Sequence, residues 1–193
     1  GANRNISLNI DNVYSKKQTA STSRTDGGIS YIPAGSNGKL YINIIGDNRV
    51  GNVHYYNTSS TNGSEIIFEG TGSLTVADVD GYKVSTGSDV GITSGSGYYS
   101  NHWNAAIGAN DNTQEAYGIV INGGVIYAGT TKAENCSAIG GGGNGSTSIN
   151  INGGIITAVA TTTGTAIGGG SSQTKVGGDA VVEISGGQVI AKS

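Results

Sequence analysis

The chain has 193 residues, 35 of them glycine, with a formal net charge of −3 at neutral pH. Charged residues make up only 12% of it, and no basic block extends beyond Lys16-Lys17, which argues against nucleic acid as a partner. A collagen-like chain is excluded by the single proline and the lack of a Gly-X-Y period, and a membrane-spanning helix by the lack of a long apolar run.

Strand-forming residues are common and strong helix formers are scarce, so the composition favours β-structure. The single cysteine, Cys136, cannot form an intrachain disulfide. We expect it to be a small buried hydrophobe or a tolerated surface thiol.

The first part of the chain contains alternating apolar residues in three places. Ile6, Leu8 and Ile10 alternate with polar residues, and a similar pattern covers residues 40–44 after a turn at 33–38. Residues 66–76 have the outline of a strand, a glycine turn and a second strand. Because alternation with a period of two is typical of strands, we predict strands in all three places.

Residues 106–193 contain three copies of a longer pattern. Each copy opens with Ala-Ile-Gly, at 106–108, 138–140 and 166–168, so the copies begin 32 and 28 residues apart. Each continues with an Ile-X-Ile type segment, a glycine pair and a second apolar segment. We interpret every copy as three short strands.

The alternation predicts which side chains point inward. The inward positions are Ile119, Ile121, Ile126, Ala128, Ile149, Ile151, Ile156, Ala158, Val182, Ile184, Val189 and Ala191. Val120, Asn150 and Glu183 point the other way, and we expect that face to be in water.

The residue before each glycine pair is predicted to lie at a corner. These residues are Asn122, Asn152 and Ser185. Asparagine tolerates the left-handed conformation and can form a side-chain ladder, while the glycine pair supplies positive φ at the turn.

A unit of about 30 residues made of short strands cannot bury its apolar face alone, but stacked copies can. The repeat therefore predicts a parallel β-solenoid, whereas an antiparallel sandwich would not repeat the same inward and corner residues. We predict an all-β fold: one β-helix module over residues 1–193 of about six to eight coils, irregular over 1–105 and regular over 106–193. Because Ser193 follows no evident polar cap, we expect the native protein to continue or another element to cover the last coil.

The motif Ala-Ile-Gly-Gly-Gly followed by Ile-X-Ile-X-Gly-Gly-X-Ile-X-Ala resembles glycine-rich repeats of large cell-surface proteins of Gram-positive, often gut, bacteria. Residues 32–36 with 40–44 resemble the upstream part of the same modules, and the resemblance covers most of residues 5–193. It implies a right-handed parallel β-helix in an extracellular protein. Such modules are commonly labelled carbohydrate-binding or adhesion-related, some lie beside glycoside-hydrolase domains, and no catalytic motif carries over.

Two segments, 53–57 and 97–104, depart most from the repeat and contain both histidines, the tryptophan and four of the ten tyrosines. Aromatic rings stack on sugar faces, and amides and imidazoles bond to sugar hydroxyls, so these segments are candidate glycan-binding elements. The candidate binding residues are Tyr55, Tyr56, Tyr98, Tyr99, Asn101, His102, Trp103 and Asn104, with Asn57 as a further polar partner. The alternative is that the aromatic rings pack under a loop or over a seam between coils.

Carboxylates supply a second kind of candidate. Asp78 and Asp80 share one face of a strand, and Asp89 and Asp111 lie near the aromatic segment 97–104. Such a group could perform glycosidase or lyase chemistry or bind a structural calcium ion. No arginine or lysine is obviously placed as a lyase base. No other cofactor or metal is predicted.

The sequence therefore favours a non-catalytic glycan-binding or adhesion module of a larger bacterial surface or secreted protein. The expected partners are a host or dietary polysaccharide and the adjacent domains of the parent protein, with no nucleic acid and no membrane insertion. Two alternatives stay open: a structural or protein-adhesive spacer, and a glycoside hydrolase or polysaccharide lyase.

Overall fold

A computed structural model of the chain describes residues 4–15, 28–33, 35–57, 59–77, 105–109, 115–130, 136–160, 163–170 and 177–193. These residues form 16 strands and no helix, and every strand pair in them is parallel. The first seven strands are β1 (Asn5–Asp11), β2 (Ile29–Tyr31), β3 (Lys39–Ile45), β4 (Asp47–Val50), β5 (Val53–Tyr55), β6 (Glu65–Gly70) and β7 (Ser73–Ala77).

The remaining nine strands come from the three sequence repeats. They are β8 (Ile107–Gly108), β9 (Ala116–Ile121), β10 (Val125–Thr130), β11 (Ile139–Gly140), β12 (Thr147–Ile151), β13 (Ile155–Ala160), β14 (Ile167–Gly168), β15 (Ala180–Ile184) and β16 (Gln188–Lys192). Each repeat thus gives three short strands, as predicted.

The strands form three sheets, in which β1 pairs with β3 and every strand from β2 to β13 pairs with the third strand after it. Sheet A has the order β1-β3-β6-β9-β12-β15, sheet B the order β4-β7-β10-β13-β16, and sheet C the order β2-β5-β8-β11-β14. The chain therefore visits the three sheets in rotation. The prediction of an all-β fold with parallel sheets is confirmed, and the antiparallel sandwich is wrong for the described strands.

The register stacks equivalent repeat positions on one another. In sheet A, Ile119 pairs with Ile149 and Ile149 with Val182. In sheet B, Ile126 pairs with Ile156 and Ile156 with Val189. The isoleucines of these columns are buried and belong to one continuous core, so the apolar side chains of each strand cover those of the next strand in the sheet. Burying one such side chain contributes roughly 1.5–3 kcal/mol.

The corner residues form the predicted side-chain ladder. The amide Nδ2 of Asn152 donates to Oδ1 of Asn122 at 2.9 Å, and the hydroxyl of Ser185 donates to Oδ1 of Asn152 at 2.8 Å. Asn43 donates to Asn9 in the same way at 3.1 Å.

The predicted positive φ of the glycine pair is confirmed, and the corner residues Asn122 and Asn152 do not have positive φ. Positive φ occurs at the second glycine of each pair, with 88° at Gly124, 89° at Gly154 and 85° at Gly187. The backbone N–H of Asn152 still donates to Ile121, so the corner residue remains in the extended ladder. The chain turns only after it, where glycine has no Cβ to oppose positive φ.

Two sequence predictions about exposure are corrected. Val120 lies on the outward face of sheet A, in register with exposed Asn150, yet it is buried. Val182 and Ile184 occupy inward positions, yet they are 38% and 55% exposed. They lie on β15, the last strand of sheet A, and no described strand stacks beyond it.

Candidate functional site

Most of the sequence-predicted site lies outside the described residues. This holds for Tyr98, Tyr99, Asn101, His102, Trp103 and Asn104, and also for the carboxylates Asp78, Asp80, Asp89 and Asp111. Their roles stay predictions. Of the candidate aromatic residues, the structure describes Tyr55 and Tyr56.

Tyr55 is in the core, which corrects its assignment to an exposed sugar-stacking surface. Its side chain is fully buried, and its ring stacks on that of Tyr31, with 5.9 Å between ring centroids and 11° between ring planes. Its hydroxyl lies 2.8 Å from the carbonyl oxygen of Ser64 and 2.7 Å from that of Tyr117. Burial raises the pKa of Tyr55, so the hydroxyl stays protonated.

Asn57 takes part in the same buried network. Its Nδ2 donates to the carbonyl oxygen of Tyr117 at 2.9 Å and lies 3.3 Å from the hydroxyl of Tyr55. Asn57 therefore satisfies backbone groups between coils and is not available to a sugar. Tyr56 is half-buried, so it is the one member of the predicted set whose partial exposure the structure describes.

A sequence signal for the burial of Tyr55 exists. Residues 29–31 read Ile-Ser-Tyr and residues 53–55 read Val-His-Tyr, an apolar-polar-Tyr pattern repeated in the first and second strands of sheet C. The two triplets pair residue by residue. Because the first and third positions share a face, the tyrosine follows the inward aliphatic residue into the core.

The outward side of sheet B is a polar and aromatic surface that the sequence analysis did not single out. We call it the sheet B face and define it by Asp47, Arg49, Ser73, Thr75, Val125, Tyr127, Ile155, Thr157, Gln188 and Ile190. Its register forms two outward columns, one from Asp47 to Gln188 and one from Arg49 to Ile190. Tyr14 extends the second column by a bridge to Arg49. Val125 and Ile155 are nearly half exposed, so this surface is open to solvent.

Tyr127 lies at the middle of this surface, and its ring occupies the space above Gly129. A Cβ added at Gly129 would lie 3.0–3.3 Å from two ring atoms and the hydroxyl oxygen of Tyr127. The positions in register with Gly129 are Ala77, Val159 and Lys192. Each of these residues has a side chain, so among the four strands only β10 leaves room for a ring at this position. The ring therefore lies back along its own strand and forms a low aromatic surface on the sheet.

A threonine lies beside Tyr127 on each of the two neighbouring strands. Thr75 and Thr157 pair directly with Tyr127 from the neighbouring strands β7 and β13, and all three side chains are half-buried. Adjacent strands are about 4.8 Å apart, so the three side chains start from one row across the sheet, and the ring extends from that row over Gly129.

A charged cluster lies on the β4 side of the face. Asp47 Oδ2 accepts a hydrogen bond from Arg49 Nη2 at 3.1 Å, and Asp47 Oδ1 accepts one from the hydroxyl of Ser73. The Ser73 hydrogen bond, followed by Arg49, holds the pKa of the Asp47 carboxyl below its ordinary value. The Arg49 guanidinium carbon lies 5.2 Å from the centroid of the exposed Tyr14 ring, within cation–π distance.

Metal binding and membrane spanning have no support among the placed residues. No group of three or more His, Cys, Asp or Glu side chains within them could hold a metal ion. None of the described segments is a helix of the length and apolarity needed to cross a membrane.

The chain was compared with protein-family models, curated proteins and solved structures, and none of them matches it.

Proposed function

We propose that the three sheets are the sides of one right-handed parallel β-helix with six coils. Sheet A supplies one strand to each of six levels, and sheets B and C supply five strands each. The rotation of the chain through sheets C, A and B supports a helical path, and a connection between parallel strands is right-handed in nearly all proteins.

We propose that this β-helix is a non-catalytic glycan-binding or adhesion module of an extracellular bacterial protein. The observation that carries the proposal is the row of Thr75, Tyr127 and Thr157 on the open sheet B face. An aromatic ring stacks on the apolar face of a sugar, and the adjoining hydroxyls bond to its ring substituents. The resemblance of the repeats to those of bacterial surface proteins supports the extracellular location.

The sheet B face suits an extended polysaccharide better than a small compact ligand. Its outward positions repeat at the strand spacing of about 4.8 Å from Asp47 to Gln188. A chain of sugar units lying across the strands would meet Tyr127 and hydroxyl or charged groups at successive strands. No described carboxylate pair faces this row, so the proposal assigns it binding and no bond cleavage.

The test is a glycan-array screen of the wild-type chain and three variants. Tyr127→Ala removes the ring from the sheet B face, and Tyr41→Ala is a matched control because Tyr41 is a half-buried tyrosine on the outward face of sheet A. Trp103→Ala tests the segment that the sequence analysis favoured.

Selective binding that falls at least tenfold in Tyr127→Ala and is kept in Tyr41→Ala would support the proposal. Loss in Trp103→Ala alone would place the site on residues 97–104 and overturn the assignment to sheet B. Absence of binding by the wild-type chain would overturn glycan recognition and favour the spacer.

The structural or adhesive spacer remains the second candidate function. It is favoured by the burial of Tyr55 and Asn57, which turns part of the predicted binding segment into packing between coils. A spacer would hold its neighbours apart through the same core and corner ladder, with no ligand.

A further inference from the structure

The ring of Tyr127 extends to one side of its own position on the strand. It lies over buried Gly129, on the side of Tyr127 that is away from Val125. Gly129 pairs with Val159 of β13, whose outward side chain is half-buried. Because paired residues of adjacent strands are about 4.8 Å apart, Val159 lies beside the ring.

The outward side of β13 therefore borders Tyr127 with two kinds of side chain. Thr157 pairs with Tyr127 itself and supplies a hydroxyl, and Val159 supplies two methyl groups beside the ring. The two residues are two positions apart on one strand, which is a distance of about 7 Å. A polar group and an apolar group at this spacing fit a sugar substituent that has a polar part and an apolar end.

The central part of the sheet B face is uncharged. The outward positions of β7, β10 and β13 are Ser73, Thr75, Ala77, Val125, Tyr127, Gly129, Ile155, Thr157 and Val159. The ion pair of Asp47 and Arg49 lies on β4, two strands away from β10, and each of its members already compensates the other at 3.1 Å. A charged sugar unit on Tyr127 would lose hydration and gain no opposite charge, so the surface favours a neutral ligand.

Apolar side chains are also exposed on this part of the sheet. Val125 and Ile155 pair with each other and are 45% and 46% exposed. A plain hexose unit presents hydroxyls around its ring, and its apolar face is the part that stacks on Tyr127. An N-acetyl group adds a methyl group and an amide, so it gives the apolar and hydroxyl side chains of β13 groups to contact.

We propose that the glycan bound by the sheet B face is a neutral polymer of N-acetylated amino sugars. This inference rests on the proposed function and adds the class of sugar to it. The ring of one sugar unit stacks on Tyr127, and its acetamido group extends toward β13. There the methyl group contacts Val159, and the amide forms a hydrogen bond with the hydroxyl of Thr157.

Three soluble hexasaccharides with the same backbone test the proposal. Chitohexaose, cellohexaose and the hexamer of glucosamine are all β-1,4-linked and differ only at carbon 2, which carries an acetamido, a hydroxyl or an ammonium group. Isothermal titration calorimetry measures the affinity of the chain for each. We expect chitohexaose to bind about tenfold more tightly than cellohexaose, because its acetamido group adds an apolar contact and a hydrogen bond. The glucosamine hexamer should bind most weakly, because it places charge on an uncharged surface.

Val159→Thr tests the contact with the methyl group. Threonine keeps the β-branched shape that strands favour and replaces one methyl group by a hydroxyl. We expect the affinity for chitohexaose to fall about three- to tenfold and that for cellohexaose to change by less than about twofold. Val181→Thr is the matched control, because Val181 is an exposed outward valine of sheet A, and it should change neither affinity. Circular dichroism checks that each variant is folded.

The outcomes separate the sugar class from glycan binding itself. Equal affinities for chitohexaose and cellohexaose, both lost in Tyr127→Ala, would overturn the proposed sugar class and leave glycan binding in place. Tightest binding of the glucosamine hexamer would overturn it as well, because charge would then select the ligand. A preference for chitohexaose that survives Val159→Thr would overturn the contact with Val159. Absence of binding to all three would also overturn the proposal, and the glycan array would show separately whether the chain binds another sugar.

Discussion

The hydroxyl of Tyr55 is a buried group with three hydrogen-bond partners. It lies between the carbonyl oxygens of Ser64 and Tyr117 and beside the amide of Asn57. Tyr55 therefore stabilises the fold and does not contact a ligand. Its buried hydroxyl and the groups around it form hydrogen bonds to one another, because no water reaches them.

Tyr55→Phe should therefore destabilise the fold. The change removes a buried hydrogen bond and keeps the ring, so we expect the free energy of unfolding to fall by about 1–3 kcal/mol. Urea unfolding followed by circular dichroism measures it. Tyr14→Phe, at an exposed ring, should change the midpoint very little, and an equal effect of the two changes would contradict the network.

Ser73 controls the ionisation of Asp47. Its hydroxyl is the first cause of the lowered pKa of Asp47, ahead of Arg49, so Ser73→Ala should move that pKa up toward 3.8. NMR titration of the side-chain carboxyl measures the shift. Thr75→Ala, on the same strand and face, should leave it in place, and a similar shift in both variants would show that the hydrogen bond is not the cause.

The lowered pKa of Asp47 also determines whether its contribution to stability rises or falls with pH. The folded state binds the Asp47 proton less tightly than the unfolded chain does, so the ionised carboxylate stabilises the fold above the ordinary pKa. That contribution is lost as pH falls toward the lower, folded value. Asp47→Asn should therefore flatten the acid side of the stability curve.

At the scale of elements, the glycine pair after β9, β12 and β15 fixes where the chain turns in the three repeats. The second glycine has a positive φ in all three repeats, and a Cβ at Gly154 would lie 2.7 Å from the carbonyl oxygen of Gly124. The turn therefore has both a conformational and a steric requirement for glycine.

Gly154→Ala should cost about 1–3 kcal/mol of unfolding free energy, because alanine opposes positive φ and its methyl group meets the neighbouring coil. Chemical denaturation checks the value. Asn150→Ala, four residues earlier on an exposed position of the same repeat, should change stability by less than about 0.5 kcal/mol. A tolerated Gly154→Ala would show that the turn can relax.

These elements explain which sequence predictions succeeded. The Ile-X-Ile segments, the apolar positions after the glycine pairs and the corner ladder were predictable because three copies report the same pattern. The positive φ at the glycine pair was predictable too, because glycine has no Cβ to oppose it, but which of the two glycines adopts it was not.

The candidate site was harder to predict because its residues do not recur in the three repeats. Tyr127 is significant because Gly129 leaves space for its ring, but one more glycine in a glycine-rich chain gives no signal by itself. Tyr55 was misassigned because a strand of three residues is too short for its alternation to stand out, although the Ile-Ser-Tyr and Val-His-Tyr pair indicated it.

At the scale of the whole molecule, stability should decrease from the central coils to the ends. Ile121 is fully buried between Phe68 and Ile151, whereas Ile184 in the same inward column is more than half exposed. In a stack where each coil contacts only its neighbours, an outer coil has one supporting interface and an inner coil has two.

Ile121→Ala should therefore cost about 2–5 kcal/mol of unfolding free energy, and Ile184→Ala much less. Thermal and urea unfolding compare the two. Amide hydrogen exchange should also be slowest in β6, β9 and β12. Equal costs for both substitutions would show that the last coil is as well supported as the middle.

The pairing of each strand from β2 to β13 with the third strand after it also bears on how such a chain changes its length. A tandem duplication of about 30 residues would add one strand to each sheet. Each added strand would pair with its two neighbours in the register that the existing repeats already have. The described strand ladders would keep their pairing, since each strand is paired only with its direct neighbours in the sheet. The length of the strand stack would then change in steps of about 4.8 Å when a repeat is duplicated or lost, and the side chains on the outward faces of the sheets would stay the same.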